Sequence, residues 1–280
     1  MAVIETERLT KLYGSSRGIE DVSFSVEAGE VFGFLGPNGA GKTTAIRTLL
    51  DMLHPTRGSA RIFGLDSHRE SVAIRARLGN LPGDFGYGRQ ACGREALGLL
   101  ARLRGIDGLG RAEALAERFR ADLDRPLGEL SRGNRQKVGL ILATFHSPEL
   151  LILDEPTSGL DPLMQEEFLA LVAEERERGC AVLLSSHELD EVERVCDRVG
   201  IIRDGRLIAV ERVAELLAKT QRHNSVEVEF AEPVELEDVR AMPGVVDAKF
   251  THATLEEVFL TYYEEGEGRA EGAGAREGEG

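Results

Sequence analysis

The sequence predicts an α/β fold with a mostly parallel core sheet. The main observation is the glycine-rich segment GPNGAGKT at residues 36–43, which lies between an apolar strand-like stretch (residues 31–35) and a stretch with helical apolar spacing (residues 44–50). Two further apolar runs, residues 150–153 and 181–185, end beside acidic and histidine residues. Strands that alternate with helices are typical of a parallel sheet, and the ligand of such a sheet lies at the carboxyl ends of its strands.

The glycine-rich segment matches the phosphate-binding pattern G-x-x-x-x-G-K-[ST], with Gly36, Gly41, Lys42 and Thr43 at the constrained positions. Glycines allow backbone N–H groups to converge on phosphate oxygens, and the following helix N-terminus adds partial positive charge. Lys42 is predicted to reach the outer phosphates, and the Thr43 hydroxyl to hold Mg²⁺. The residues expected to bind the nucleotide here are Gly36, Pro37, Asn38, Gly39, Ala40, Gly41, Lys42, Thr43 and Thr44.

The apolar run at residues 150–153 delivers two carboxylates, Asp154 and Glu155, to the end of a strand. A carboxylate at this place holds Mg²⁺, directly or through water, in enzymes that transfer phosphoryl groups. We therefore predict that Asp154 is a metal ligand. Glu155 is expected at the outer phosphate, where it would polarise an attacking water.

Composition limits the classes of protein that fit. The chain has 280 residues, 42% hydrophobic content and a formal net charge of −15, which argues against bulk binding to nucleic acid. No apolar run approaches the roughly 18 residues of a membrane span, and the start resembles no signal peptide. We expect a soluble, cytosolic chain. Three scattered cysteines fit a reducing compartment.

The pattern along the chain predicts three segments. Antiparallel strands are expected over residues 3–26, and a helical block over about residues 84–147, within a first domain of residues 1–220. Residues 221–263 are expected to form a small α+β appendix with a helix near residues 236–240 and another over residues 255–263. Residues 264–280 hold six glutamates, two arginines and no large apolar side chain, which is typical of a disordered tail.

Three further motifs make the chain recognisable. The segment LSRGNRQK at residues 130–137 resembles the signature motif of ATP-binding cassette (ABC) ATPases, and it precedes the acidic strand as that family requires. PTSGLD at residues 156–161 resembles the family's D-loop, and His187 stands where the family has its switch histidine. The resemblance covers about residues 4–215. It implies a P-loop NTPase fold of the ABC type that binds ATP and Mg²⁺.

The resemblance also implies roles for individual residues. Tyr13 is at the position that stacks on adenine in the family. Glu155 would be the general base and His187 the γ-phosphate sensor, with Lys42 as the third catalytic residue. Two cassettes pack head to tail in the family, so Ser131 and Gly133 would contact the ATP of a second copy. The resemblance also implies that Asp161 of the D-loop binds the nucleotide.

Two departures from the family pattern stand out. Gly83 occupies the place where the family's Q-loop has a glutamine that contacts Mg²⁺ and the transmembrane partner. Either Asp84 replaces this glutamine through water or the contact is absent. The signature motif also has Arg132 and Asn134 where glycine and glutamine are commoner, which we interpret as a variant and not as an inactive site.

The resemblance implies an ATPase subunit that powers transport, more specifically export, through a separately encoded permease. Residues 254–260, TLEEVFL, resemble the carboxyl-terminal segment of subunits from drug, antibiotic and polysaccharide export systems. The expected partners are the permease and a second cassette, identical or not, and the expected location is the inner face of the cell membrane. The alternatives are a soluble ABC-type ATPase that acts on ribosomes or DNA and a slow, nucleotide-gated regulatory subunit.

Overall fold

The computed structural model describes residues 2–14, 16–85, 90–219, 225–229 and 247–251. The chain divides into two units, Met1–Glu211 and Arg212–Gly280. In the described residues no helix is long and apolar enough to cross a membrane.

The core of the first unit is a sheet that has six strands in the described part of the chain. Its order is β11-β10-β4-β9-β8-β7, and the pairs from β10 to β7 are parallel. Every residue of β4, β8 and β9 is buried, as expected for strands covered on both faces. The strands are β4 (Val31–Leu35), β7 (Leu78–Leu81), β8 (Leu150–Asp154), β9 (Ala181–Ser186), β10 (Arg198–Arg203) and β11 (Arg206–Arg212).

A second sheet of the same unit is antiparallel and is built around the long strand β1. This strand pairs with β2, β3 and β5, and β5 pairs with β6. Phe24 joins the two sheets, since its ring lies 5.2 Å from that of Phe32 and 4.9 Å from that of Phe34. The strands are β1 (Ala2–Tyr13), β2 (Ser16–Val22), β3 (Ser25–Glu27), β5 (Arg57–Ile62) and β6 (Leu65–Asp66).

Helices connect these strands, and three of them form the predicted helical block. Arg118 fastens that block to helix α6, because its guanidinium lies 2.7 Å from Glu167 and 2.9 Å from Glu174. The helices of the first unit are α1 (Lys42–Leu49), α2 (Ser71–Arg77), α3 (Gly93–Arg104), α4 (Gly110–Phe119), α5 (Arg132–Thr144), α6 (Pro162–Glu177) and α7 (Leu189–Val195). The helical block consists of α3, α4 and α5.

The described part of the second unit contains helix α8 (Val213–Lys219) and an antiparallel pair, β12 (Ser225–Glu229) and β13 (Asp247–Thr251). Both strands lie within residues 221–263, the segment for which a small α+β appendix is expected. The helices expected near residues 236–240 and over residues 255–263, and the acidic tail over residues 264–280, lie outside the described residues.

Candidate nucleotide site

The phosphate-binding loop connects the end of β4 to the start of α1. A methyl group at Gly36 would lie 2.3 Å from the carbonyl oxygen of Ile202. Gly41 has a φ of +111°, and a methyl group there would lie 2.9 Å from the carbonyl oxygen of Gly18. Both positions therefore require glycine, one for close packing and the other for packing and a left-handed backbone.

Lys42 is the first residue of α1 and is only 4% exposed. Its Nζ donates hydrogen bonds to the carbonyl oxygens of Gly36, at 2.5 Å, and Pro37, at 3.2 Å. Burial lowers the pKa of this lysine, while the nearby carboxylates of Glu155 and Asp154 oppose that shift. The ammonium group is thus held over the loop by the loop's own backbone.

A cavity of about 230 Å³ lies at this loop and brings together most of the predicted nucleotide-binding residues. Its lining residues are Tyr13, Gly18, Pro37, Asn38, Gly39, Gly41, Lys42, Thr43, Thr44 and Glu155. Gly36 and Ala40 belong to the same loop but are not among the described residues that line this cavity. The carbonyl oxygen of Ala40 accepts a hydrogen bond from the Gly205 amide at 2.9 Å. A larger cavity of about 690 Å³ lies elsewhere, against the antiparallel sheet, and holds none of these residues.

Tyr13 is at the end of β1 and its side chain is half exposed. A methyl group at Gly18 would lie 2.7 Å from the Tyr13 ring, so the absence of a side chain at Gly18 leaves room for this ring. Sequence reasoning missed Gly18, because it lies outside the loop pattern and no local signal marks it. The cavity therefore has an aromatic residue on its lining, as the resemblance to ABC ATPases implies.

The carboxylate of Asp154 ends β8 and is almost entirely buried. Its Oδ1 accepts a hydrogen bond of 2.5 Å from the Ser185 hydroxyl at the end of β9. A methyl group at Gly83 would lie 3.2 Å from Oδ2 of the same carboxylate. The glycine at the Q-loop position therefore leaves this oxygen free of side-chain crowding.

Asp84, the alternative for the Q-loop contact, lines a different cavity. That groove, of about 450 Å³, lies between the helical block and the core sheet and includes Arg75 and Leu100. Asp84 is not among the described residues that line the cavity at the phosphate-binding loop. Whether Asp84 replaces the glutamine through water or the contact is absent stays a prediction.

Glu155 follows Asp154 with a left-handed backbone, φ +49°, which is uncommon for a residue with a side chain. Its amide donates to the carbonyl and the hydroxyl oxygens of Ser185, each at 3.1 Å. The Gln136 side chain donates to the Glu155 carbonyl at 3.0 Å. These contacts, made by α5 and β9, hold the backbone in its strained form.

The Glu155 carboxylate lines the cavity and lies between the ammonium group of Lys42 and the imidazole of His187. Its Oε1 lies 3.9 Å from Nζ of Lys42 and 3.6 Å from Nδ1 of His187. His187 directly follows β9, and its side chain is 44% exposed. The three residues predicted to be catalytic therefore meet at one point, although they are far apart in the sequence.

Ser131, Gly133 and Asp161 lie in a second cluster. The Ser131 hydroxyl caps α5, accepting from the Asn134 amide at 3.3 Å, and the carboxylate of Asp161 caps α6. A methyl group at Gly133 would lie 2.3 Å from the carbonyl oxygen of Gly159, so the start of α5 packs directly on the D-loop. These three residues are not among the described residues that line the cavity of about 230 Å³.

Glu191 of α7 is a further residue that sequence reasoning did not single out. It is 6% exposed, and burial raises the pKa of its carboxyl to about 7. Its Oε2 accepts hydrogen bonds from the Ser186 hydroxyl, at 2.6 Å, and the Thr157 hydroxyl, at 3.2 Å, whereas Oε1 has no hydrogen-bond partner in the described structure. The sequence around Glu191 gives no signal that this glutamate is buried, because it lies in a short helix among other charged residues.

Comparison with known proteins identifies the family of the chain. A sequence profile for the family described as ABC transporter matches residues 19–158. The bacitracin transport ATP-binding protein BcrA of Bacillus licheniformis is 38% identical over 209 residues, covering 74% of this chain and 68% of that protein. The Nod factor export ATP-binding protein I of Paraburkholderia xenovorans (strain LB400) is 34% identical over 278 residues, covering 91% and 90%.

Among solved structures, one described as the ATP-binding subunit of an ABC transporter is similar with a TM-score of 0.76. It is 27% identical and covers 93% of this chain and 99% of that one. The chain therefore belongs to the ABC transporter family and is an ATP-binding cassette with ATPase activity. The predicted P-loop NTPase fold of the ABC type is confirmed.

Proposed function

We propose that this cassette hydrolyses ATP with Mg²⁺ to power export through a separately encoded transmembrane permease, at the inner face of the cell membrane. The observation that carries the proposal is the convergence of Glu155, Lys42 and His187, with Oε1 of Glu155 3.9 Å from the ammonium and 3.6 Å from the imidazole. A carboxylate, a cation and an imidazole at the mouth of a phosphate-binding loop suit the transfer of a phosphoryl group to water.

The residues divide the chemistry among them. The loop amides and Lys42 would hold the outer phosphates and offset the negative charge that develops on them. Glu155 would accept a proton from the attacking water, and His187 would keep that water and the γ-phosphate in line. Phosphoryl transfer depends mainly on positioning and on charge stabilisation, so the strained and well-braced backbone of Glu155 is part of the mechanism.

The residues of the site fit Mg²⁺. The buried carboxylate of Asp154 and the hydroxyl of Thr43 are oxygen ligands, which this ion prefers. Gly83 places no side chain against Oδ2 of Asp154, whereas a methyl group there would lie 3.2 Å from this oxygen. When bound, Mg²⁺ would neutralise charge on the outer phosphates.

A second cassette would complete the site. Ser131 is exposed, and the start of α5 lies outside the cavity that the phosphate-binding loop forms in the same chain. We propose that Ser131 and Gly133 cap the ATP held by the partner, with Asp161 and the rest of the D-loop at the same interface. ATP then favours the closed pair, because it contributes contacts to both subunits only in that state.

The permease would receive the motion through the helical block. The groove of about 450 Å³ is lined by that block and by the core sheet. Two exposed apolar side chains lie nearby: Met52 lines the groove, and Leu103 belongs to α3 of the helical block. The names of the two relatives, one for bacitracin transport and one for Nod factor export, favour a transporter over a soluble ATPase that acts on ribosomes or DNA. The cargo would be set by the permease.

The test uses a tagged Glu155→Gln chain, which should bind ATP without hydrolysing it. We expect that, when ATP is present, a multi-span membrane protein is recovered together with this cassette from membranes solubilised in mild detergent. The matched control is Lys42→Ala, which should not close and should recover less. Recovery of ribosomes or DNA-associated proteins, with no membrane protein, would overturn the proposal.

A further inference from the structure

Three potential metal ligands converge outside the nucleotide cavity. Oδ1 of Asp51 lies 2.7 Å from Nδ1 of His68 and 3.2 Å from Nδ1 of His54. The three ligand atoms lie within 4.8 Å of one another. The two imidazole rings meet edge to face with their centres 4.5 Å apart.

Local structure holds this cluster in place. Asp51 lies two residues after the end of α1 with a left-handed backbone, φ +56°, and its side chain is only 13% exposed. The carbonyl oxygen of His54 accepts a hydrogen bond from Lys11 at 2.9 Å, and the amide of His68 donates to Asp66 at 3.0 Å. The two imidazoles are 70% and 59% exposed, so an ion can reach them from solution.

We propose that Asp51, His54 and His68 form a three-ligand site for a divalent transition metal such as Zn²⁺, with the remaining position open to water. Two imidazole nitrogens and a carboxylate oxygen are ligands that zinc takes in proteins, whereas Mg²⁺ and Ca²⁺ prefer oxygen alone. The metal would link the segment after α1 to the segment after β6. Because α1 starts at Lys42, the site lies at the opposite end of the helix that begins at the phosphate-binding loop.

The test is isothermal titration of the full, metal-free chain with ZnCl₂ in the absence of nucleotide. We expect one binding event in the wild type that is lost in His68→Ala and in Asp51→Asn and that persists when millimolar MgCl₂ is present. His187→Ala is the matched control and keeps the event, since that histidine is also exposed but lies beside Glu155 and not in this cluster. Equal zinc uptake by the wild type and His68→Ala, or none by the wild type, would overturn the proposal; circular dichroism checks that each variant folds.

A second inference rests on the proposed function and on the buried carboxyl of Glu191. Through one oxygen, this side chain joins the D-loop, at Thr157, to Ser186, the last residue of β9, which directly precedes the switch histidine. Within the described residues, the other oxygen, Oε1, is buried and has no hydrogen-bond partner. The bridge from the D-loop to β9 therefore runs through one carboxylate oxygen.

We infer that Glu191 is a positioning residue that sets the distance between the D-loop and His187. The residue next to His187 is Ser186, whose hydroxyl donates to Glu191 at 2.6 Å. The D-loop residue Thr157 lies two positions after the general base Glu155. The one carboxyl therefore contacts the chain just after Glu155 and just before His187, the two residues proposed to orient the attacking water.

The test compares Glu191→Ala, Glu191→Gln and Val192→Ala by ATPase kinetics. Glutamine keeps an oxygen that can accept hydrogen bonds from the hydroxyl groups of Thr157 and Ser186, so Glu191→Gln should retain kcat. Glu191→Ala removes that oxygen and should lower kcat with little change in KM. Val192 is fully buried in the same helix, so its truncation gives a control that lowers stability without removing the bridge. Equal loss of kcat in Glu191→Ala and Val192→Ala, at equal fractions of folded protein, would overturn the inference, while a wild type without ATPase activity would instead contradict the proposed function.

Discussion

The amide of Glu155 donates to both the carbonyl oxygen and the hydroxyl oxygen of Ser185, each at 3.1 Å. The same hydroxyl donates to Oδ1 of Asp154 at 2.5 Å. A single serine near the end of β9 therefore contacts both acidic residues, at the carboxylate of Asp154 and at the backbone of Glu155. The parallel pairing of these two strands, with Asp154 opposite Ser185, makes the contact possible.

Replacing Ser185 by alanine should remove one hydrogen bond from Asp154 and one from Glu155. The buried Oδ1 of Asp154 would lose its donor, which costs about 1–3 kcal/mol of folding free energy, and the strained turn at Glu155 would lose a brace. We expect lower stability in urea unfolding and a higher Mg²⁺ requirement in ATPase assays. Threonine at the same position keeps the hydroxyl and should restore much of the Mg²⁺ response; if it behaves like alanine, the hydroxyl is not the cause.

Removal of the carboxylate of Glu155 should separate ATP binding from hydrolysis. Glu155→Gln keeps the shape of the side chain but cannot take up a proton at neutral pH, and loss of a general base costs about 10²–10⁴-fold in rate. We expect kcat to fall within this range while ATP affinity, measured by equilibrium binding, is retained. Lys42→Ala should instead weaken ATP binding itself.

The signature motif should be needed for pairing and not for the first binding step. In a Glu155→Gln background, Ser131→Ala should lose the ATP-dependent dimer in size-exclusion chromatography and still bind nucleotide as a monomer. The change also removes a helix cap, worth about 1 kcal/mol, so Asp161→Ala, which removes the cap of α6, serves as a comparison for stability. A dimer that forms equally well in Ser131→Ala would contradict the proposed capping in trans.

Two glycines offer a paired test of the phosphate-binding loop. A methyl group at Gly36 would lie 2.3 Å from a carbonyl oxygen, so Gly36→Ala should distort the loop and lower ATP affinity. A methyl group at Gly98, inside α3, meets nothing within 4 Å. Gly98→Ala should therefore leave ATP binding unchanged and raise stability by up to about 1 kcal/mol through helix propensity.

Stability should depend on pH through His146, which lines the groove beside the helical block. Burial, with a further effect of the Arg104 charge, lowers the pKa of this histidine to about 4. The unfolded chain binds a proton near pH 6.5 and the folded chain does not, so the contribution of His146 is present above pH 6.5 and is lost as the pH falls toward 4.

Comparison with His146→Gln isolates that effect from the other titrating groups. After allowance for partial solvent screening, the difference in unfolding free energy between wild type and variant should shift by about 1–2 kcal/mol between pH 7.5 and pH 5, with the wild type losing more. A difference that is the same at both pH values would mean that His146 titrates normally.

Much of the fold follows from local pattern. The segments around residues 31–35, 150–153 and 181–185 are apolar throughout because they become strands buried on both faces, and such runs are readable without knowledge of their neighbours. The order of the strands in the sheet is not readable in this way, since β4 lies between β9 and β10, which come about 150 residues later in the chain.

By itself the sequence determined the phosphate-binding loop, the acidic pair Asp154 and Glu155 and the family to which the chain belongs, because each is written in a few consecutive residues whose chemistry constrains their type. Only the tertiary structure decided which distant residues complete the site. Ser185 contacts both residues of the acidic pair, Glu191 joins the D-loop to the end of β9, and Gly83 lies beside the buried carboxylate of Asp154. Their partners come from other strands and helices, and the physical reason is that burial and hydrogen bonding depend on positions in space that spacing along a chain does not specify.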